Sequence, residues 1–247
     1  MRQWLVLCRR ELAAHVLSPT TYVVAVLFLV VVGTGFWILV TSMSSGAPSS
    51  AGLVEVSGWG FVLTMTAAAP LLTMRLFAEE RRSGTLETLL TAPVTPGAVV
   101  GAKYAATLAL FAATLAPTLA YGPLLRAFAA APPTVDPAAA WGLGVGALLI
   151  GGFFLSLGLF ASALTRSQIS AGLLAFTFIA LFLSSGLVAW LWPDGGGDAL
   201  ATWLSPIAHM ADFARGVFDS RVAAFYLINT AFVLFGAERV VEWERWR

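Results

Sequence analysis

Residues 138–192 read AAAWGLGVGALLIGGFFLSLGLFASALTRSQISAGLLAFTFIALFLSSGLVAWLW. Two uncharged apolar runs, about Ala138 to Leu164 and Ile169 to Trp192, are separated only by Thr165, Arg166, Ser167 and Gln168. Each run exceeds the roughly 18 residues that a helix needs to cross about 30 Å of hydrocarbon. So short a polar link can only join antiparallel neighbours. Backbone groups in hydrocarbon must find their partners within the segment, which a helix provides. The stretch therefore predicts two successive membrane-crossing helices, and an all-α integral membrane protein.

The rest of the chain repeats the pattern. Its 247 residues are 59% hydrophobic and only 11% charged, and mean hydropathy is +0.85. Further spans run from about Thr20 to Thr41, Val56 to Met74, Val99 to Leu125 and Val222 to Ala237. Ser18 and Pro19 open the first with an N-cap hydroxyl and a first-turn proline. Turnarounds fall at the Ser/Gly/Pro run 42–52, at residues 126–137 with Pro132 and Pro133, and at WPDGGGD, where Pro193 and three glycines stop a helix. The first span is read as a retained helix, since no small-residue cleavage site followed by a soluble domain accompanies it. The lone Cys8 excludes an internal disulfide.

Six spans put both termini on one side. Arg2, Arg9, Arg10, Arg75, Arg81, Arg82, Lys103, Arg166, Arg239, Arg245 and Arg247 fall on that side, whereas Arg126, Arg215 and Arg221 fall on the other. Positive charge accumulates in the cytoplasm, so both termini are expected there. Two segments read as interfacial. Residues 3–16 place Trp4, Leu5, Cys8 and Leu12 on one helical face, with Arg9, Arg10 and Glu11 largely away from it. On the outer side, a helix from Pro206 would align Ile207, Met210, Ala211, Ala214 and Val217.

The spans read as essentially free of ionisable groups, which argues against a proton or ion pathway and against a secondary transporter. Their polar residues are Thr34, Thr64, Thr66, Thr107, Thr114, Thr118, Ser156, Ser162, Thr177, Ser184, Ser185 and Asn229. These are read as packing residues whose side chains return hydrogen bonds to the backbone. Gly142 and Gly146 have GxxxG spacing and predict close helix packing, because no strand precedes them as a dinucleotide fingerprint requires. There is no GxxxxGK[ST] phosphate loop, so ATP hydrolysis by that mechanism is not expected of this chain. His15 and His209 have no second ligand at metal spacing, and Asp194 and Asp198 flank glycines without a fuller cation loop. His209, Asp212 and Arg215 are read as a solvated outer face, since no nucleophile, base or oxyanion site accompanies them. The near-zero net charge implies no nucleic-acid partner.

Between the second and third spans lies FAEERRSGTLETLLTAPVTPG, residues 77–97, where charge is concentrated. Leu86, Leu89 and Leu90 form a narrow ridge at i, i+3, i+4, so a short helix over Gly84–Thr91 is expected. Gly84 or Ser83 would cap it, Glu87 would lie in its first turn, and Pro93 would end it. Thr95 and Pro96 then restart a helix. Such an element either rests on the membrane or docks into a groove of a soluble partner; the alternating Glu79, Glu80, Arg81 and Arg82 favour a partner, because the acidic pair opposes an anionic surface.

The run FAEERRSGTLETLLTAPVTPGAVVGAKY, residues 77–104, resembles the signature between the second and third helices of ABC exporter permeases of the second type, in the branch of the gliding-motility and nitrous-oxide-reductase maturation permeases. RRELAAHVLSPTTYV at 9–23, LTRSQISAGLLAF at 164–176 and LSPIAHMADFARGVFDSR at 204–221 resemble further blocks of that branch in the same order. The resemblance implies a single permease domain over residues 1–247, with an elbow helix at 3–16, a coupling helix at 84–91 and an outer segment at 194–221. The ATPase-coupling residues would be Glu79, Glu80, Arg81, Arg82, Gly84, Thr85, Leu86, Glu87, Leu89 and Leu90. His209, Asp212, Phe213 and Arg215 would be candidates for an outer gate. It further implies cytoplasmic ATPase subunits carrying ATP and Mg, a second permease copy or paralogue, and a bacterial inner membrane. No large external domain is present, so recognition outside would rest on short loops or a periplasmic accessory protein. The alternative is a membrane anchor or assembly scaffold that recruits a soluble protein without translocation.

Overall fold

A computed structural model describes residues 2–44, 50–85, 94–121, 123–124, 137–191 and 203–244. Every regular element among them is helical: α1 (Arg2–Leu17), α2 (Pro19–Ser44), α3 (Ser50–Thr73), α4 (Ala78–Ser83), α5 (Pro96–Leu115, continued by a 3-10 turn at Ala116–Ala120), α6 (Pro137–Leu164), α7 (Gln168–Leu191), α8 (Pro206–Ala214) and α9 (Ser220–Glu244). Six stretches are long and apolar enough to cross a membrane, and they lie in α2, in α3 with α4, and in α5, α6, α7 and α9. The chain is an all-α, multi-pass membrane protein.

Helix α6 is the hub: it packs against α3, α5, α7, α8 and α9. In the spans carried by α3 and α6, 67% of the most apolar window is buried, against 17% in those of α2, α7 and α9. The outer helices leave Val26, Leu173 and Phe232 exposed, as expected of surfaces that meet lipid tails. The core joins Phe28, Phe61, Met65, Phe111, Phe153 and Phe154, with Phe28 edge-on to Phe61 and Phe111. Since lipid tails are as apolar as these side chains, such contacts hold the helices together through dispersion and shape rather than through the hydrophobic effect.

The hydroxyls within the spans are satisfied locally, as the sequence suggests. Thr66 donates to the Val62 carbonyl at 2.9 Å, Thr177 to Leu173 at 2.9 Å and Ser156 to Phe153 at 2.7 Å, and the Asn229 amide donates to Phe225 at 2.8 Å. Ser162 is the exception and has a separate role at the site described below. The cap at Thr95 also forms, its hydroxyl accepting from Ala98 N–H at 3.3 Å ahead of Pro96.

Other expectations change. Helix α9 does not stop near Ala237 but continues to Glu244, carrying Glu238, Arg239, Glu242 and Glu244 on helix. The inward face of α1 is mixed: Glu11 is buried, Leu7 packs on the core and Cys8 and Leu12 are half-buried, whereas Leu5, Val6 and Leu17 are exposed. Of the three charges expected away from that face, Arg9 and Arg10 are exposed and Glu11 turns inward, because α5 offers it a cation. The spans are not free of charge either, since Lys103 in α5 is only 2% exposed.

Candidate functional site

The charges at the start of the patch lie on α4, a short helix that follows a turn after Thr73. Pro70 lies inside α3 without an N–H, and four residues on the Met74 amide donates to the Pro70 carbonyl at 2.8 Å. The N-cap position of α4 is Phe77, whose side chain cannot accept a hydrogen bond. Ser162 of α6 takes over: its hydroxyl accepts from Phe77 N–H at 3.0 Å and Ala78 N–H at 3.2 Å, and it donates to the Met74 carbonyl at 3.2 Å. A residue more than eighty positions away thus caps the helix.

The charges on α4 divide by face. Glu80 turns inward, and its Oε1 accepts from Lys103 Nζ at 2.8 Å. Lys103 also donates to Glu11 Oε2 at 3.0 Å and lies 5.3 Å from the centre of the Phe77 ring. One ammonium therefore joins α1, α4 and α5. An inserted lysine costs about 2.5–3.5 kcal/mol on insertion scales, and the two carboxylates offset that only while both remain in place. Arg81 reaches the far end of the chain, with its Nη2 2.8 Å from Glu244 of α9. Glu79 and Arg82 are exposed. The four charges expected to pair with a partner are thus split, since Glu80 and Arg81 are consumed within the chain.

Ser83 ends α4, and Gly84 follows as its C-cap at φ 73°, a left-handed conformation that glycine adopts without penalty. Gly84 thus closes the charged helix, and Thr85 after it is again helical. Thr85 is exposed and exchanges a 2.9 Å hydroxyl contact with Ser83. Leu86, Glu87, Leu89 and Leu90 lie outside the described residues.

His15, one turn beyond Glu11, contacts the Thr107 hydroxyl through Nε2 at 3.1 Å. Burial lowers its pKa below the ordinary value, opposed by Glu11 and assisted by Lys103. The sequence offers a signal for this cluster: Glu11 and His15 share a face at i, i+4, as do Lys103 and Thr107. What pairs the two faces is tertiary.

At the opposite end, α8 lies across α3, α6 and α7. Ser205 caps it, accepting from Ala208 N–H at 3.4 Å, and Pro206 follows. Its buried face is Pro206, His209, Met210, Phe213 and Ala214, rotated from the expected one; Val217 is exposed. His209 is therefore not on a solvated face with Asp212 and Arg215. Its Nδ1 contacts the Tyr226 hydroxyl at 2.9 Å, and the two rings meet edge to face at 5.6 Å. A hydroxyl partner lets the imidazole enter an aromatic setting that would otherwise exclude it. Burial lowers the His209 pKa, opposed by Asp212, the Trp203 carbonyl and Asp219. Asp212 and Arg215 remain outside, 3.7 Å apart and about half exposed.

Phe213 fills the space that Gly142 and Gly146 leave. A Cβ at Gly146 would come within 2.7–2.9 Å of the Phe213 side chain, and one at Gly142 within 2.1 Å of its carbonyl oxygen. The GxxxG spacing does serve close packing, and its partner is the short helix α8. Of the outer candidates, the structure thus brings His209 and Phe213 into the bundle and leaves Asp212 and Arg215 outside it.

A family model described as ABC-2 family transporter protein matches residues 5–195. The match covers nearly all of α1 to α7, and so includes Glu11, Glu80, Lys103 and the paired glycines, while α8 and α9, with Phe213 and Glu244, lie beyond it. No curated protein matches the chain.

Proposed function

The chain belongs to the ABC-2 transporter family, and from that premise we propose that this permease component couples a separate cytoplasmic ATPase to export of a substrate. The single observation that carries the coupling is the dual attachment of α4. Its outer side presents Glu79 and Arg82, while its inner side is tied by Glu80 to α1 and α5, by Arg81 to α9, and by Ser162 to α6. A force delivered to α4 would reach four helices through these contacts.

In this reading the termini and α4 face the cytoplasm of a bacterial inner membrane, in keeping with the bias of Lys and Arg toward that end. The partner subunits hold ATP and Mg and perform the hydrolysis; this chain performs none. ATP binding draws the ATPases together, their cleft displaces the segment over Gly84–Thr91, and α4 passes the motion to α3 and α5. Substrate follows a path between this permease and a second copy or paralogue, and α8 closes its outer end.

The test changes Leu86 and Leu89 to Asp, and separately reverses Arg82 as R82E. Both variants should insert and fold, and both should lose co-purification with the ATPase. Stoichiometric association retained by both would refute docking here. A label on α8 that ignores nucleotide bound by the partner would refute transmission and favour the scaffold.

A further inference from the structure

Beside the ion cluster lies a half-open cavity of about 320 Å³, bounded by α1, the first turn of α2, the end of α3 and α4. Its size falls at the lower end of the range for small-ligand sites. Leu71, Leu72 and Leu76 form an apolar wall, and Glu11, His15 and Lys103 close one side. Lys103 is already committed to Glu11 and to Glu80 Oε1.

Two lining groups hold unused bonding capacity. Arg75 donates from Nη1 to the Thr20 hydroxyl at 3.2 Å, and Thr20 in turn meets the Ser18 hydroxyl at 2.8 Å; the Arg75 Nε is buried with no partner. The second oxygen of Glu80, Oε2, is likewise buried with no partner. Glu79 also lines the space. Leaving a buried donor or acceptor unpaired is costly, and more so for charged groups. A ligand that accepts from Arg75 and donates to Glu80 relieves both.

Charge narrows the class. The three carboxylates of Glu11, Glu79 and Glu80 exceed the cations of Arg75 and Lys103 by one, and His15, its pKa lowered, adds no positive charge near neutrality. A bare anion meets net repulsion there, and a simple cation leaves Arg75 unsatisfied. We propose that the cavity binds a primary-ammonium phosphate, with the phosphate ester at Arg75 and the Ser18 and Thr20 hydroxyls and the ammonium at Glu79 and Glu80. The Glu79 N–H bonds to the Arg75 carbonyl at 3.4 Å, which keeps the two residues one turn apart, and an ethanolamine ester joins its two charges through two carbons. Phosphatidylethanolamine, its headgroup at the membrane surface, and soluble phosphoethanolamine share this chemistry.

The purified full-length chain, stripped of lipid in detergent, is titrated with short-chain phosphatidylethanolamine, phosphatidylglycerol and phosphoethanolamine, and thermal unfolding is followed. The ethanolamine lipid should bind saturably and raise Tm, with phosphatidylglycerol about tenfold weaker or more. R75Q and E79Q should each weaken binding of the ethanolamine lipid by about tenfold, the loss of one charge-assisted hydrogen bond; if either fails to fold, T20A replaces it with a smaller loss. Phosphoethanolamine as effective as the lipid assigns a soluble ligand, and preference for the lipid assigns the bilayer. Equal binding of phosphatidylglycerol, indifference to all three substitutions, or no shift with any ligand would overturn the proposal, the last leaving water as the occupant. None of these readings involves an ATPase, so failure here and failure of coupling are separable.

Discussion

The two ends of the bundle hold a short helix by opposite means. At the terminal end α4 is fixed by ions and a borrowed cap: Lys103 between Glu11 and Glu80, Arg81 on Glu244, and Ser162 on two free amides. At the far end α8 is fixed by shape, with Phe213 on paired glycines, Met210 in the core and His209 on Tyr226. Ion pairs are long-range and depend on protonation, so a helix held by them can shift as a unit while its charges remain partnered. A ring seated on glycines has a steep contact potential and sits in one place or leaves it. The difference is the physical basis for the roles proposed above, a handle for α4 and an outer closure for α8.

The largest effect should come from breaking the ion cluster asymmetrically. K103M leaves two buried carboxylates facing each other and should lower stability by about 3–5 kcal/mol, seen as lost yield or a much reduced Tm in detergent. Adding E11Q and E80Q should restore much of it; a triple variant as unstable as K103M would show that Lys103 acts through packing rather than charge. Next, G146L drives a side chain into Phe213 and should cost about 1–3 kcal/mol by overpacking. Its signature is local: cysteine labels along Trp203–Ala214 should become accessible while α4 stays protected from hydrogen exchange. S162A is the mirror experiment. Removing the acceptor for two buried amides should cost about 1–3 kcal/mol, with faster exchange confined to Phe77–Ser83.

A smaller effect follows from pH. The folded His209 titrates below its unfolded value, so its stabilising contribution is complete above the unfolded pKa of about 6.5 and declines as pH falls toward the lowered folded value. Protection factors at α8, taken against the intrinsic exchange rate at each pH, should therefore fall between neutral pH and about pH 5, and H209F should flatten that response. Protection that rises with acid would contradict the buried, neutral imidazole. D212N should be the least consequential, within about 0.5 kcal/mol by thermal unfolding, because its pair with Arg215 is half exposed.

The spans were legible because length and unbroken apolarity are one-dimensional properties. The cap at Thr95 and the helix start at Pro206 were equally legible, since a capping hydroxyl and a first-turn proline act within one turn of the chain. Faces were not. Hydrophobicity assigns the buried side of α1 and α8 as it would in water, whereas a helix at a membrane has two apolar environments to choose between. Leu5 and Val217 could be given to the outside, and Glu11 and His209 were drawn inward by partners on other helices. The charges of α4 illustrate the same limit: Glu79 to Arg82 look alike in the chain, and only packing separates the exposed pair from the committed one.

The sequence by itself determined an all-helical chain with six membrane-length spans, a charge bias marking one end, and glycines spaced for close approach, because composition and period fix what a segment can do alone. Only the tertiary structure decided that Lys103 would be the common partner of Glu11 and Glu80, that Ser162 would cap α4, and that Phe213 would occupy the glycine seat. Each of these is a meeting of residues from different helices, and a buried charge, amide or void is satisfied by whatever lies beside it in space.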